Sequence, residues 1–126
     1  TVTKESLARA ALERTGILSL LDDLRTADQA GAGKDRPDIY LQTAAALGTE
    51  PGETLVFEDA LHAAQTASAA GFPVIGVYDP SGEEKRADLE RIALAYLMDF
   101  TRFDRFAREV LSQKTAGKDE GQCIQL

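Results

Sequence analysis

Seven residues, Thr54-Leu55-Val56-Phe57-Glu58-Asp59-Ala60, constrain this chain more than any other stretch. Four residues suited to a buried strand run directly into two adjacent carboxylates. A small-residue, helix-forming run follows from Ala60 to Ala70, and Gly71 stops it. A buried strand that ends in acids and turns into a helix is a common ligand-binding geometry of open parallel α/β sheets. The flanking segments repeat the alternation. Pro37 opens a helix whose apolar face is Ile39, Tyr40, Ala44, Ala45 and Leu47, and Gly48 closes it. The run Gly48–Glu53 is a turn by composition, and Pro73-Val-Ile-Gly-Val-Tyr78 reads as a second buried strand. Helix, strand, helix, strand from Pro37 to Tyr78 predicts parallel strands joined by right-handed crossovers, an α/β fold.

The outer segments are less regular. Thr3 is placed to cap a helix with Leu7, Ala11 and Leu12 on one stripe and Gly16 at its end. Leu24–Ala27 is expected to form a short strand. After the Asp79–Gly82 turn a charged helix leads to an edge strand within Ala95–Phe100. Thr101 and Asp104 are spaced as a capping box for a last helix with Phe103, Phe106, Ala107, Val110 and Leu111 on one face. Residues 1–113 are read as one core unit and 114–126 as a polar, flexible tail.

Composition narrows the function classes. At 126 residues the chain has the size of one ordinary domain, and 28% charged with 44% hydrophobic residues is a globular balance. A net charge of −7 disfavours nucleic-acid and acidic-membrane partners, which need clustered Lys and Arg. One cysteine, Cys123, excludes an internal disulfide and a cysteine metal site. No apolar run approaches the length of a membrane span, so a cytoplasmic setting is expected.

Several residues are candidates for chemistry. Adjacent carboxylates repel, and a Mg²⁺ ion offsets that cost, since it accepts one or two carboxylates plus water and a phosphate. Glu58 and Asp59 are therefore candidate metal ligands; alternatively Asp59 caps the helix and Glu58 faces solvent. Lys34 follows Gly31-Ala32-Gly33, where the backbone can approach an anion, and is a candidate phosphate contact or a solvated surface lysine. The segment is not a P-loop, because Asp28 and Asp35 stand where that motif needs Gly and Ser or Thr. Thr1 and Thr3 could offer hydroxyls to a phosphate. His62, the only histidine, has no second histidine or cysteine nearby to make a metal or nucleophilic site. Arg36, Asp38 and Tyr40 flank Lys34 without a distinctive spacing.

Taken together, GAGKDRPDIYLQTAAALG and TLVFEDALHAAQTASAAGFPVIGVYD resemble the haloacid dehalogenase superfamily, specifically its β-phosphoglucomutase-like phosphatases. The resemblance runs from Thr1 to about Asp79. It implies a three-layer Rossmann-like core and phosphoryl transfer from a phosphorylated small molecule through an aspartyl-phosphate, with Mg²⁺ as cofactor. Lys34 matches the lysine of the family's third motif, and Glu58 and Asp59 match the acidic pair of the fourth. The hydroxyl of the second motif falls on Thr1, or on Thr3 under a shifted alignment. Lys34-Asp35-Arg36-Pro37-Asp38 departs from the family's KPAPD-like stretch but keeps the lysine and the proline. The first motif, a D-x-D pair ending an apolar strand and supplying the nucleophile and general acid, has no match: Asp22-Asp23 and Asp99 do not fit it.

The resemblance therefore predicts an incomplete core. The unmatched strand is the central one of the family sheet and would lie beside Thr54–Phe57, whose edge would otherwise stay unpaired. The chain is expected to be the C-terminal portion of a longer hydrolase, to be inactive alone, and to self-associate or bind the complementary part. The alternatives are a non-catalytic α/β binding or regulatory module and a phosphomutase of the same family. A receiver-type signalling domain fits less well, for lack of an N-terminal acidic cluster.

Overall fold

A computed structural model describes residues 1–114 and 124–125. The elements are α1 (Glu5–Arg14), α2 (Ala27–Ala30), α3 (Asp38–Leu47), β1 (Val56–Glu58), α4 (Leu61–Ala69), β2 (Val74–Val77), α5 (Arg86–Ile92), β3 (Ala95–Leu97), α6 (Phe103–Lys114) and β4 (Ile124–Gln125). All three strand pairings are parallel, in the order β1-β2-β3-β4. The α/β class and parallel sheet are as the alternating pattern predicts.

The register sets two faces. Val56 pairs with Val74 and Ile75 with Ala95, so successive side chains alternate between two cores. On one face Val74 and Tyr96 pack with Ile39, Tyr40 and Ala44 of α3, Ala64 and Ala67 of α4, and Leu89 of α5. On the other, Ile75, Ala95 and Leu97 pack with Phe106 and Val110 of α6. Helices thus cover both sides of the sheet in three layers. The small residues of α4 serve this arrangement: Ala63, Ala64 and Ala67 are fully buried, so the helix lies close to β1 and β2. Gly71, at φ 90°, turns the chain from α4 into β2 in a conformation that a residue with a Cβ resists.

Five local expectations are corrected. The strand Ala95–Leu97 is not an edge strand, because it pairs with β2 on one side and β4 on the other. Leu24–Ala27 does not form a strand of the sheet: Thr26 is extended, and Ala27 already begins α2, capped by a reciprocal Thr26–Gln29 box. The run does keep one trace of pairing. Thr1 N donates to Arg25 O at 2.9 Å and Ala27 N to Thr1 O at 2.8 Å, the bond pattern of a parallel bridge. Thr3 does not cap α1. Lys4 holds that position without a side-chain bond, and the Thr3 amide is taken up by the Thr1 hydroxyl at 3.2 Å. Thr101 does not form a capping box with Asp104, because its hydroxyl and amide both donate to Asp99. The helix following the Asp79–Gly82 turn is preceded by a 3-10 segment, Pro80–Lys85. As for the expected tail, Lys114 belongs to α6 and Ile124–Gln125 pair with β3; residues 115–123 and 126 lie outside the described residues.

Candidate active site

The site lies at the C-terminal end of β1. Because side chains alternate along a strand, Phe57 points to the α6 face, where it meets Phe106 edge-on at 5.6 Å, and Glu58 points to the α3 face. Glu58 is only 4% exposed. A buried carboxylate is unfavourable unless it is paired and hydrogen-bonded, and Glu58 has both kinds of partner. Lys34 Nζ forms an ion pair with Glu58 Oε1, and the Tyr40 hydroxyl donates to the same oxygen at 2.9 Å. Lys34 is itself three-quarters buried. The Tyr40 ring rests against Phe72 at 6.1 Å, and its hydroxyl lies 3.4 Å from the Ala63 carbonyl. Burial first, and then the charge and hydrogen bond of Glu58, push the Tyr40 phenol well above its ordinary range, so it stays a donor.

Lys34 and Tyr40 reach Glu58 by one route. The Gly31–Pro37 loop leaves α2 and enters α3, so Lys34 stands on the approach to the helix and Tyr40 in its first turn. Lys34 and Glu58 line a groove of about 330 Å³. Its walls are β1 on one side and Asp23, Leu24 and Arg25 on the other, with Thr1 at the rim. Among the described residues β1 pairs only with β2, so its other edge opens onto this groove. Asp23 is engaged by Arg25 at 2.7 Å.

The candidate residues thus separate. Lys34, Glu58 and Thr1 converge on the groove. Thr3 does not line it and is exposed. Asp59 points away from Glu58: it is exposed and does not cap α4, whose N-cap is Ala60 with no side-chain bond. The two alternatives for the acidic pair are therefore answered in one respect, since neither the cap nor the solvent-facing Glu58 is observed. His62 is exposed, and its carbonyl accepts from the Thr66 hydroxyl. Tyr40 was not distinguished by sequence, because a tyrosine on the apolar stripe of a helix looks like core.

The donor set bears on a metal ion. No group of three or more His, Cys, Asp and Glu side chains comes together among the described residues. Glu58 spends its Oε1 on Lys34 and Tyr40, whereas the exposed Asp59 carboxylate has no such partners among the described residues. Mg²⁺ needs only one or two protein carboxylates, with water and a phosphate completing its shell. The residues fit such an ion with Asp59 as the available ligand and Glu58 behind it.

Comparison with known proteins places this geometry in a family. A family model described as haloacid dehalogenase-like hydrolase matches residues 2–71, more than half of the chain. The validoxylamine A 7'-phosphate phosphatase of Streptomyces hygroscopicus is 37% identical over 83 residues, 66% of this chain and 39% of that protein. A fructose-1-phosphate phosphatase of Escherichia coli is 34% identical over 77 residues, 61% of this chain and 41% of its own length. A β-phosphoglucomutase of Mycobacterium bovis is 32% identical over 85 residues, 68% of this chain and 32% of the enzyme. The chain therefore spans well under half the length of these relatives. The family match includes Lys34, Tyr40, Glu58 and Asp59 and stops at the glycine that ends α4: the chain belongs to the haloacid dehalogenase-like hydrolases.

Proposed function

We propose that this chain supplies the phosphate- and metal-facing section of a Mg²⁺-dependent phosphomonoester hydrolase. One observation carries the reading: a three-quarters-buried lysine is held by a buried carboxylate at the C-terminal end of a parallel strand, beside an open groove. An ammonium fixed there is a point charge for a phosphoryl group, and phosphoryl transfer depends chiefly on positioning and electrostatic stabilisation. Lys34 is the phosphate-binding and catalytic cation. Thr1, at the groove rim, is a better placed phosphate hydroxyl than Thr3. Asp59 is the metal ligand, and Glu58 acts first as the counter-charge of Lys34, with its second oxygen the part left for the metal side. Bound Mg²⁺ would supply charge neutralisation at the phosphoryl oxygens.

The nucleophile is not among the side chains around Lys34. Of the acids that line the groove, Asp23 is engaged by Arg25 and Glu58 by Lys34. The attacking aspartate, and the second acid that protonates the leaving group, would come from a strand seated in the groove against the open edge of β1. That arrangement makes the described chain inactive alone. Attack by such an aspartate on phosphorus would release the alcohol and leave an aspartyl-phosphate, which water then hydrolyses. The relatives named as phosphatases support a phosphorylated small molecule as substrate.

The test is Mg²⁺-dependent hydrolysis of an aryl phosphate by the full-length protein. Lys34→Met and Asp59→Asn are expected to lower turnover at least a hundredfold, the loss typical of one preorganised charge contact. Full activity of Asp59→Asn would remove Asp59 from the metal site, and metal-independent turnover would refute the reading. A phosphomutase is the second form of the same chemistry, favoured by the β-phosphoglucomutase among the relatives. Phosphate appearing on another hydroxyl of a phosphosugar, rather than released to water, would identify it. A non-catalytic module is favoured instead by the absence of a free aspartate among the described groove residues. Full-length protein without turnover of any phosphomonoester would establish it.

A further inference from the structure

The arrangement around Glu58 uses a third group that neither the sequence motifs nor the family comparison singles out. Tyr40 is buried, its ring is fixed against Phe72, and its hydroxyl reaches Glu58 Oε1 at 2.9 Å. Lys34 meets the same oxygen. The two donors differ in stiffness. The lysine ammonium sits at the end of a long flexible stem, whereas the phenol is the tip of a rigid ring on α3. A carboxylate held only by Lys34 could rotate about its last bond and carry the ammonium with it. With a fixed hydroxyl on one oxygen, that rotation is arrested.

We propose that Tyr40 is a positioning residue: its hydroxyl locks Glu58 so that the carboxylate presents the Lys34 ammonium in one place at the groove. The importance of that place rests on Lys34 being the phosphate's cation, as proposed above. The locking itself is a property of the three side chains and needs no turnover to be observed. Lys34 and Tyr40 arrive from the same loop and first helical turn, so one element delivers both the mobile charge and the group that limits its motion. The competing role for Tyr40 is that of an ordinary core aromatic whose hydroxyl happens to be satisfied.

The experiment is nuclear magnetic resonance of the lysine ammonium groups in ¹⁵N-labelled protein, with Lys34→Met assigning the Lys34 signal. In Tyr40→Phe the ring stays and only the donor goes. Exchange of the Lys34 ammonium protons with water is expected to quicken roughly tenfold, the order of one lost hydrogen bond to a charged group. Ile39→Val, one residue away on the same helix and also buried, is the packing control and should leave that exchange within twofold. A folded Tyr40→Phe protein with unchanged Lys34 exchange would overturn the proposal, as would an equal change in Ile39→Val. Should Tyr40→Phe not fold, the wild-type protein still decides. A slowly exchanging Tyr40 hydroxyl proton with a close contact to the Glu58 side chain supports the lock, and a hydroxyl proton in fast exchange refutes it. None of these readouts involves catalysis, so an inactive protein would count against the phosphatase reading alone.

Discussion

The Lys34–Glu58 pair makes an asymmetric prediction about stability. Glu58 is 4% exposed and Lys34 keeps a quarter of its side-chain surface. Removing the lysine leaves a buried carboxylate with the Tyr40 hydroxyl as its one side-chain partner among the described residues. Breaking a buried ion pair in this way costs 3–5 kcal/mol, and because Lys34 is partly open to the groove the low end applies, about 3 kcal/mol. Removing the charge from the other side is milder. Glu58→Gln keeps an acceptor oxygen for both Tyr40 and Lys34, and the lysine can turn toward the groove and regain water. That substitution should cost about 1 kcal/mol, the order of one weakened hydrogen bond. With a urea slope of about 2 kcal/mol/M, Lys34→Met lowers the unfolding midpoint by about 1.5 M and Glu58→Gln by about 0.5 M. Urea titrations followed by far-ultraviolet circular dichroism measure both. The difference should survive 0.5 M salt, since a buried pair is little screened. Equal costs for the two variants, or less than about 1 kcal/mol for Lys34→Met, would mean that the carboxylate is not buried and charged, and the site would have to be redrawn.

Three further outcomes follow from the same structure. Asp59→Asn should leave stability within about 0.5 kcal/mol, because Asp59 is exposed and caps nothing; calorimetry of the variant checks this. Gly76→Ala should destabilise by roughly 1–3 kcal/mol, since a Cβ there would stand 2.6 Å from the Tyr96 ring in the core between β2, β3 and α5; thermal unfolding reads the loss. Asp79 and Asp99 are both held below the ordinary 3.8, chiefly by hydrogen bonds from the hydroxyls and then the amides of Ser81 and Thr101. Their native pKa values lie under the unfolded one, so their contribution is present above pH 3.8 and is lost as the pH falls through the lower native values. Carbon-detected titration of the two carboxylates should find midpoints under 3.8, and Ser81→Ala and Thr101→Val should each move the neighbouring midpoint back up.

What the sequence made legible follows from what kind of physical signal each element leaves. Val74–Val77 is covered on both faces of a parallel sheet, and such a strand reads as an unbroken apolar run that turn residues bound sharply. Val56–Glu58 leaves the same kind of apolar run before its acid, although Phe57 stays half-exposed. The small residues of α4 signalled close helix–sheet packing for the same reason. Leu24–Ala27 misled because its apolar start resembles such a run, while the reciprocal Thr26–Gln29 cap, a local and stronger device, commits Ala27 to a helix. Thr101 misled by spacing: a hydroxyl three residues before an acid fits a capping box, but Asp99 lies nearer and takes the hydroxyl first.

The site shows the limit more sharply. Lys34 and the acidic pair were identified by residue type and motif, yet the division of labour between Glu58 and Asp59 depends on strand alternation at one position. β1 ends there, so one carboxylate turns under α3 and the next turns out. A register shifted by one residue would exchange their positions, placing Asp59 against Lys34 and turning Glu58 out. The parallel pairing of Val56 with Val74 therefore decides more than the sheet. It selects which acid neutralises the lysine, and with it which acid the proposed function leaves for a cation. Tyr40 was illegible for a related reason: on a helical wheel it is one more apolar residue beside Ile39 and Ala44. Only the buried end of β1 brings an acceptor within reach of its hydroxyl, and turns a core aromatic into part of the site.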